Sequence, residues 1–330
     1  MKLTLRRGTF QRLITFSILI LLCVVFTFSS SAFLTPRNLI NVLRQVTMVV
    51  ITACGFTLLL ISGSLDLSVG GVLALSGCIT AGLATQGIPL LICFIAGIFV
   101  GGLIGLLNAI LVVVFRVTPV IATLGTMYIS RGLAFIYTAK VTHGGLGIIK
   151  GLPTNFSVLT KYLWHIPVPV IFLIMIVLIF IFIQTKTIFG KYIYAIGGNE
   201  ETARLSGVNV SKIRFILFVV VGLLAGLSGI IMASRIGSGQ PNSGIGFEFD
   251  VIVAVILGGT SLSGGEGSMI GTLIGALIVG VLGNGLNLLG VQTFYQYVAS
   301  GVVLIIAVLL DTTLKGKGIS KDTLRRLIHG

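Results

Sequence analysis

Apolar runs of about twenty residues follow one another along this chain with little between them. A helix needs ~20 apolar residues to cross a bilayer's hydrocarbon core. Ten candidate spans can be placed: 13–34, 44–63, 66–86, 89–115, 119–138, 167–184, 213–234, 249–262, 268–289 and 292–310. Of the 330 residues 55% are hydrophobic and only 9% charged, where soluble domains carry about 25%. Water could not solvate such a surface. In lipid every backbone amide must pair within its own segment, so helices are the expected form. The prediction is an all-α polytopic membrane protein, one transmembrane domain over 1–330 with about ten helices.

The net charge of +14 could suggest nucleic acid, but its distribution points to membrane topology. Lys2, Arg6, Arg7 and Arg12 precede the first span; Lys186, Lys191, Arg204, Lys212 and Arg214 lie mid-chain; Lys315, Lys317, Lys321, Arg325 and Arg326 follow the last span. With ten spans and a cytoplasmic N-terminus, all three clusters fall inside, as positive-inside sorting requires. This assigns 1–12, 185–212 and 311–330 to the cytoplasm and loop 139–166 to the outside. No nucleic-acid partner is expected. The basic start and apolar run resemble a secretory signal, but the run from Leu13 to Phe28 is long for one and reads as an uncleaved span. Cys23, Cys54, Cys78 and Cys93 have no metal-ligand spacing.

Many of the 44 glycines recur at helix-contact spacing, including Gly97/Gly101, Gly101/Gly105, Gly222/Gly226 and Gly271/Gly275. Small residues let backbones approach in a membrane bundle. Two stretches look alike: GSLDLSVG (63–70) and GFEFDV (246–251) each place an aspartate, Asp66 or Asp250, where a helix should start. The topology puts these starts on opposite faces, as inverted-repeat halves require. Capping of the helix start is the plainer role for both acids.

The charged island over 185–214 interrupts the apolar pattern. Within it, residues 199–207 read as a complete short helix. Asn199 caps it, Glu200 and Glu201 occupy the first turn, Arg204 pairs back to Glu200 and Glu201, and Gly207 takes the left-handed terminal position. Two turns of helix are marginal alone, so the segment should dock on a partner.

Other signals are weaker. LSGGE (262–266) nearly reproduces an ATPase signature, but GxxxxGK[ST] is absent, and a glycine-rich turn is the better reading. His143, His165 and His329 lie outside the spans, and no nucleophile triad or HExxH occurs. No catalytic residue, cofactor or metal is expected. Uncharged groups that could line a solute path are Asn108, Thr123, Thr126, Ser130, Asn284 and Asn287; the same groups could equally hold helices together. Arg131, deep in a span, needs an acid, a carbonyl or a route to the surface. The outer loop could meet a partner or simply connect spans, and Trp164 suits the membrane interface.

Four stretches together resemble the permease subunits of ribose-type ATP-binding-cassette importers: ISGSLDLSVGGVLALSG (61–77), VTPVIATLGTMYISRGLAFIYT (117–138), IGGNEETARLSGVNVSKIR (196–214) and the long run 239–291. The similarity spans most of 36–311. It implies the type II importer permease architecture, placed in a bacterial inner membrane with both termini cytoplasmic. It also implies partners: an ATPase subunit with two fused cassettes, a periplasmic or lipoprotein sugar-binding protein, and a second permease subunit, identical or paralogous. Gly198, Asn199, Glu200, Glu201, Ala203, Arg204, Leu205 and Gly207 would then form the coupling helix, with Ala203 and Leu205 as apolar contacts to the ATPase. The transported solute would be ribose, a similar monosaccharide or autoinducer-2. An ion-gradient transporter is the competing class; it needs a buried titratable group at mid-membrane, and Asp66, Glu248 and Asp250 read as lying at helix ends.

Overall fold

The computed structural model describes residues 2–144, 147–164 and 166–314. The tail residues Lys315, Lys317, Lys321, Arg325 and Arg326, together with Gly145, His165 and His329, lie outside these. Twelve α-helices are described: α1 Lys2–Ser29, α2 Pro36–Ile61, α3 Val69–Thr85, α4 Leu90–Ala109, α5 Pro119–Val141, α6 Val168–Lys186, α7 Ile188–Gly198, α8 Glu200–Leu205, α9 Val210–Ile236, α10 Phe247–Leu257, α11 Met269–Leu288 and α12 Thr293–Leu314. A π-helical turn, Ile110–Val114, extends α4, and a 3-10 turn, Thr154–Thr160, lies in the loop after α5. The described β-structure is one small hairpin, β1 Tyr162–Leu163 with β2 Ile166–Pro167, and an isolated bridge between Ile149 and Gly239.

Each of the ten apolar stretches falls on a helix. Six helices are long and apolar enough to cross a membrane: α2, α4 with its π turn, α5, α6, α9 and α11. Side-chain caps start several helices. Thr35 accepts from the Asn38 N–H, Thr187 from Gly190, Asn209 from Lys212 and Ser268 from Gly271. Gly237, with φ of 71°, ends α9 in the left-handed conformation that glycine adopts without steric cost.

Two spans are shorter than the sequence suggested. Helix α3 begins at Val69 and α10 has 11 residues, ~16 Å of rise. Each is preceded by a non-helical stretch inside the bundle, 62–68 and 237–246. Helix α2 is the central post, buried along most of its length. It runs antiparallel to α9: Met48 and Thr52 meet Ser228, Gly55 meets Val221, and Ser62 meets Arg214. Helix α4 is antiparallel to α9 as well. There Gly101 lies on the Gly222 carbonyl and Gly105 on that of Phe218, so a methyl group at either position would strike backbone. The sequence-predicted glycine pairs thus sit at backbone contacts, as do Gly271 against Gly258 and Gly275 against Ala254 between α10 and α11.

The two broken units are inverted relative to each other. Helix α3 runs parallel to α9, with Leu73 at Gly229 and Gly77 at Ala233. Helix α10 runs antiparallel to α11, which is itself antiparallel to α2 through Thr57–Thr272, Val46–Gly280 and Asn38–Asn284. The expectation that α3 and α10 start on opposite faces fails. Gly70, in the first turn of α3, abuts Gly244 and Glu248 at the start of α10, so the two starts meet head to head inside the bundle.

Candidate functional site

The polar island folds as two helices, not one. Helix α7 buries Ile193 and Ile196. It is fixed by the Tyr194 hydroxyl donating to the Gly267 carbonyl at 2.6 Å, while Gln184 donates to Tyr194 and accepts from the Met269 N–H. Gly197 sits so close to the Ile61 carbonyl and to Gly265 that any side chain would collide with backbone. The Gly265 N–H also donates to Ile61 O at 2.9 Å. The LSGGE stretch is a tight turn with φ of 82° at Gly264 and 77° at Gly265, wedged against the end of α2.

Helix α8 follows at once. Asn199 Oδ1 accepts from the Thr202 N–H at 2.8 Å, and Gly207 has φ of 85°. Arg204 pairs with Glu200 at 2.7 Å; among the described residues Glu201 takes part in neither ion pair, so the expected second partner of Arg204 is not made. Leu205 is 84% exposed, whereas Ala203 is buried within the chain. Ala203 therefore holds α8 to its own protein, because the helix turns that face inward against the bundle; this corrects its predicted role as an outward contact. Glu200 also accepts from Arg214 at 2.7 Å, a contact the sequence reading missed. A cleft of about 620 Å³ opens beside the helix, lined by Gly63, Arg116, Thr118, Glu200, Arg204 and Arg214 among others.

Deeper in the bundle, the stretch 62–68 is braced by a closed polar network. Asp66 Oδ1 accepts from the Ser68 N–H at 2.8 Å and the Ser68 hydroxyl at 2.6 Å. Asn108 Nδ2 donates to Asp66 Oδ2 at 3.1 Å and to Ser68 Oγ at 2.8 Å. Asn108 Oδ1 accepts from the Thr126 hydroxyl at 2.6 Å, and Thr123 Oγ1 accepts from the Leu67 N–H at 3.0 Å. Asp66 thus braces the turn before α3 and reaches α4.

The stretch 237–246 is held differently. Arg131 finds backbone carbonyls: Nη1 donates to Pro241 O at 2.8 Å and Ser243 O at 2.6 Å, and Nη2 to Gly244 O at 3.3 Å. Glu248 is buried, and its Oε2 has no hydrogen-bond partner. Gly246, not Asp250, occupies the cap of α10, and no side chain caps it. The reading of Asp66 and Glu248 as groups at helix ends is thereby corrected in its consequence: these ends lie inside the bundle, so both acids are buried.

The six solute-path candidates separate. Asn108, Thr123 and Thr126 come together around the first broken stretch with their hydrogen bonds used internally. Asn284 pairs reciprocally with Asn38, both bonds at 2.9 Å. Ser130 is buried with an unpartnered hydroxyl. Asn287 is exposed and accepts from Gln296. Among the described residues no group of three or more His, Cys, Asp or Glu is placed to hold a metal.

At the opposite end from α8, the loop after α5 packs on the end of α9. Ser234 donates to Phe156 O at 2.8 Å, and Ile149 and Gly239 exchange two backbone bonds at 2.9 and 3.0 Å. Trp164 is 88% exposed at the hairpin turn, with φ of 52°.

A glycine-packed helical bundle with inverted broken helices and a short docked helix at one end defines a polytopic membrane permease. The family model described as "Branched-chain amino acid transport system / permease component" matches residues 38–308, and the chain belongs to that family. It is 43% identical over 305 residues to the Ribose import permease protein RbsC of Bacillus subtilis, covering 92% of this chain and 94% of the relative. It is 41% identical over 302 residues to the protein of the same name in Escherichia coli K12, covering 89% and 91%. The D-allose transport system permease protein AlsC of Escherichia coli K12 is 38% identical over 300 residues, covering 90% of each chain. No solved structure matches the chain.

Proposed function

We propose that this chain is the membrane-spanning subunit of an ATP-driven, binding-protein-dependent importer of ribose or a similar monosaccharide. The observation that carries the reading is 43% identity to a ribose import permease along 92% of the chain. The geometry of α8 supports the energy source. It is a capped helix held down by Ala203, with Leu205 and the charges of Glu201 and Arg204 facing outward. A separate ATPase subunit, with two fused cassettes, receives this helix and supplies hydrolysis. Gly198, Asn199 and Gly207 set its ends, and Glu200 orients it.

The chain sits in a bacterial inner membrane with 1–12, 185–212 and 311–330 cytoplasmic and 139–166 outside. A binding protein delivers solute at the outer loop, and a second permease subunit, the same chain or a paralogue, completes the path. Asn108, Thr123, Thr126 and Asn284 brace the helices around that path, while Ser130 and Asn287 retain capacity to meet a hydroxylated solute. The ion-gradient alternative would use the buried acids Asp66 and Glu248; the identity to a ribose import permease weighs against it, and Asp66 is held by three donors.

The test is uptake by proteoliposomes holding the permease, its ATPase and its binding protein, with ATP inside and labelled ribose, allose, arabinose, autoinducer-2 or leucine outside. Ribose or another monosaccharide should enter fastest. Preference for leucine, or no sugar uptake at all, would refute the substrate class.

A further inference from the structure

We propose that Arg214 is the positioning residue that delivers movement of α8 to the first broken stretch of the bundle; this rests on the reading of α8 as the helix that meets the ATPase. Three elements meet at its guanidinium. Nη1 donates to Glu200 Oε2 on α8 at 2.7 Å, and Nη2 donates to the buried Ser62 carbonyl at the end of α2 at 2.9 Å. Arg214 itself belongs to α9.

Glu200 serves two arginines with two separate oxygens. Its pair with Arg204 stays within α8, and the Arg204 side chain is 67% exposed; such surface pairs are weak and screened. Its pair with Arg214 crosses to another helix, and the Arg214 side chain is only 20% exposed. The planar fork of an arginine can hold a carboxylate and a carbonyl at once in fixed geometry, which an ammonium cannot.

Beyond Ser62 the connection runs along the backbone of 62–68. The stretch 62–68 carries Asp66, which is bonded to Ser68 and to Asn108 of α4; Asn108 is bonded to Thr126 of α5. Ion pairs and hydrogen bonds at Ser62 and at Asp66, joined by the backbone of 62–68, therefore link the exposed helix to the place where α3 starts inside the bundle. Spatial continuity by itself does not establish energetic coupling, so the test measures coupling.

The experiment uses the full complex in proteoliposomes and counts ATP hydrolysed per solute imported. Arg214→Gln should raise this ratio by about 5- to 30-fold, the range that about 1–2 kcal/mol of coupling corresponds to. Glu200→Gln should act in the same direction, and the Glu200→Gln/Arg214→Gln double variant should be no worse than Arg214→Gln, since both remove one link. Arg214→Lys keeps the charge but offers a single nitrogen in place of the two that hold Glu200 and Ser62, so its ratio should rise by a few-fold; it carries the test if the glutamine variant does not assemble. A wild-type ratio in Arg214→Lys and in any assembled Arg214→Gln complex would overturn the proposal, as would single-variant defects that multiply in the double. A wild-type complex that ATP cannot drive would instead overturn the underlying reading of α8.

Discussion

The two broken stretches, 62–68 and 237–246, occupy equivalent places in inverted units but are chemically opposite. The first encloses an anion, Asp66, whose two oxygens are met by donors from its own turn and from α4. The second wraps its carbonyls around a cation, Arg131, and leaves Glu248 Oε2 without a partner. Their outer connections differ too. The first joins α8 through Ser62 and Arg214, and the second joins the loop after α5 through the Ile149–Gly239 bridge. Helix breaks inside a bundle are tolerated only where their backbone groups are satisfied again. Both breaks use backbone bonds; the first adds Asp66 and Thr123 as side-chain acceptors, and the second adds Arg131 as a side-chain donor. The saturated break should behave as a rigid strut, and the one with an unpaired carboxylate oxygen should be the more readily rearranged.

Substitutions can break this contrast, and thermal or denaturant unfolding of the purified protein in detergent reads them. Asp66→Ala should cost most, about 3 kcal/mol, because it strands buried donors on Ser68 and Asn108. Arg131→Met should follow at about 2 kcal/mol, since it takes the donor from the Pro241 and Ser243 carbonyls while that of Gly244 keeps the Phe247 N–H. Thr126→Val removes the hydroxyl shared between Asn108 and the Thr123 carbonyl and should cost about 0.5–1 kcal/mol. Glu248→Gln should be smallest, under about 0.5 kcal/mol, because the oxygen it replaces has no partner to lose. If Glu248→Gln were as damaging as Asp66→Ala, the asymmetry between the breaks would be wrong.

What the sequence revealed follows how local each cause is. The spans were legible because lipid solvation acts on every residue of a run. Helix α8 was legible because its cap, its i,i+4 pair and its terminal glycine lie within nine residues, 199–207. The contact between Glu200 and Arg214 was not, because it joins separate helices across a turn. Helix α7 was hidden by Gly190, Gly197 and Gly198, which suggest a loop; the first two glycines in fact admit the backbone of Gln184 and of Ile61. The early end of α10 at Leu257 was invisible because residues 258–262 continue a small and apolar run, although Gly259 has φ of 89°, and α3 starts three residues late because Asp66 braces the turn before it. Ala203 and Leu205 looked equivalent in sequence, and only packing separates the buried residue from the exposed one.

The claim on which the rest depends is that a separate ATPase, acting through α8, drives this bundle. The direct measurement is solute uptake by proteoliposomes of the permease and binding protein, with the ATPase present or omitted and with proton or sodium gradients imposed in its absence. Uptake should require the ATPase together with ATP and should vanish under either gradient alone. Gradient-driven accumulation without the ATPase would contradict the account.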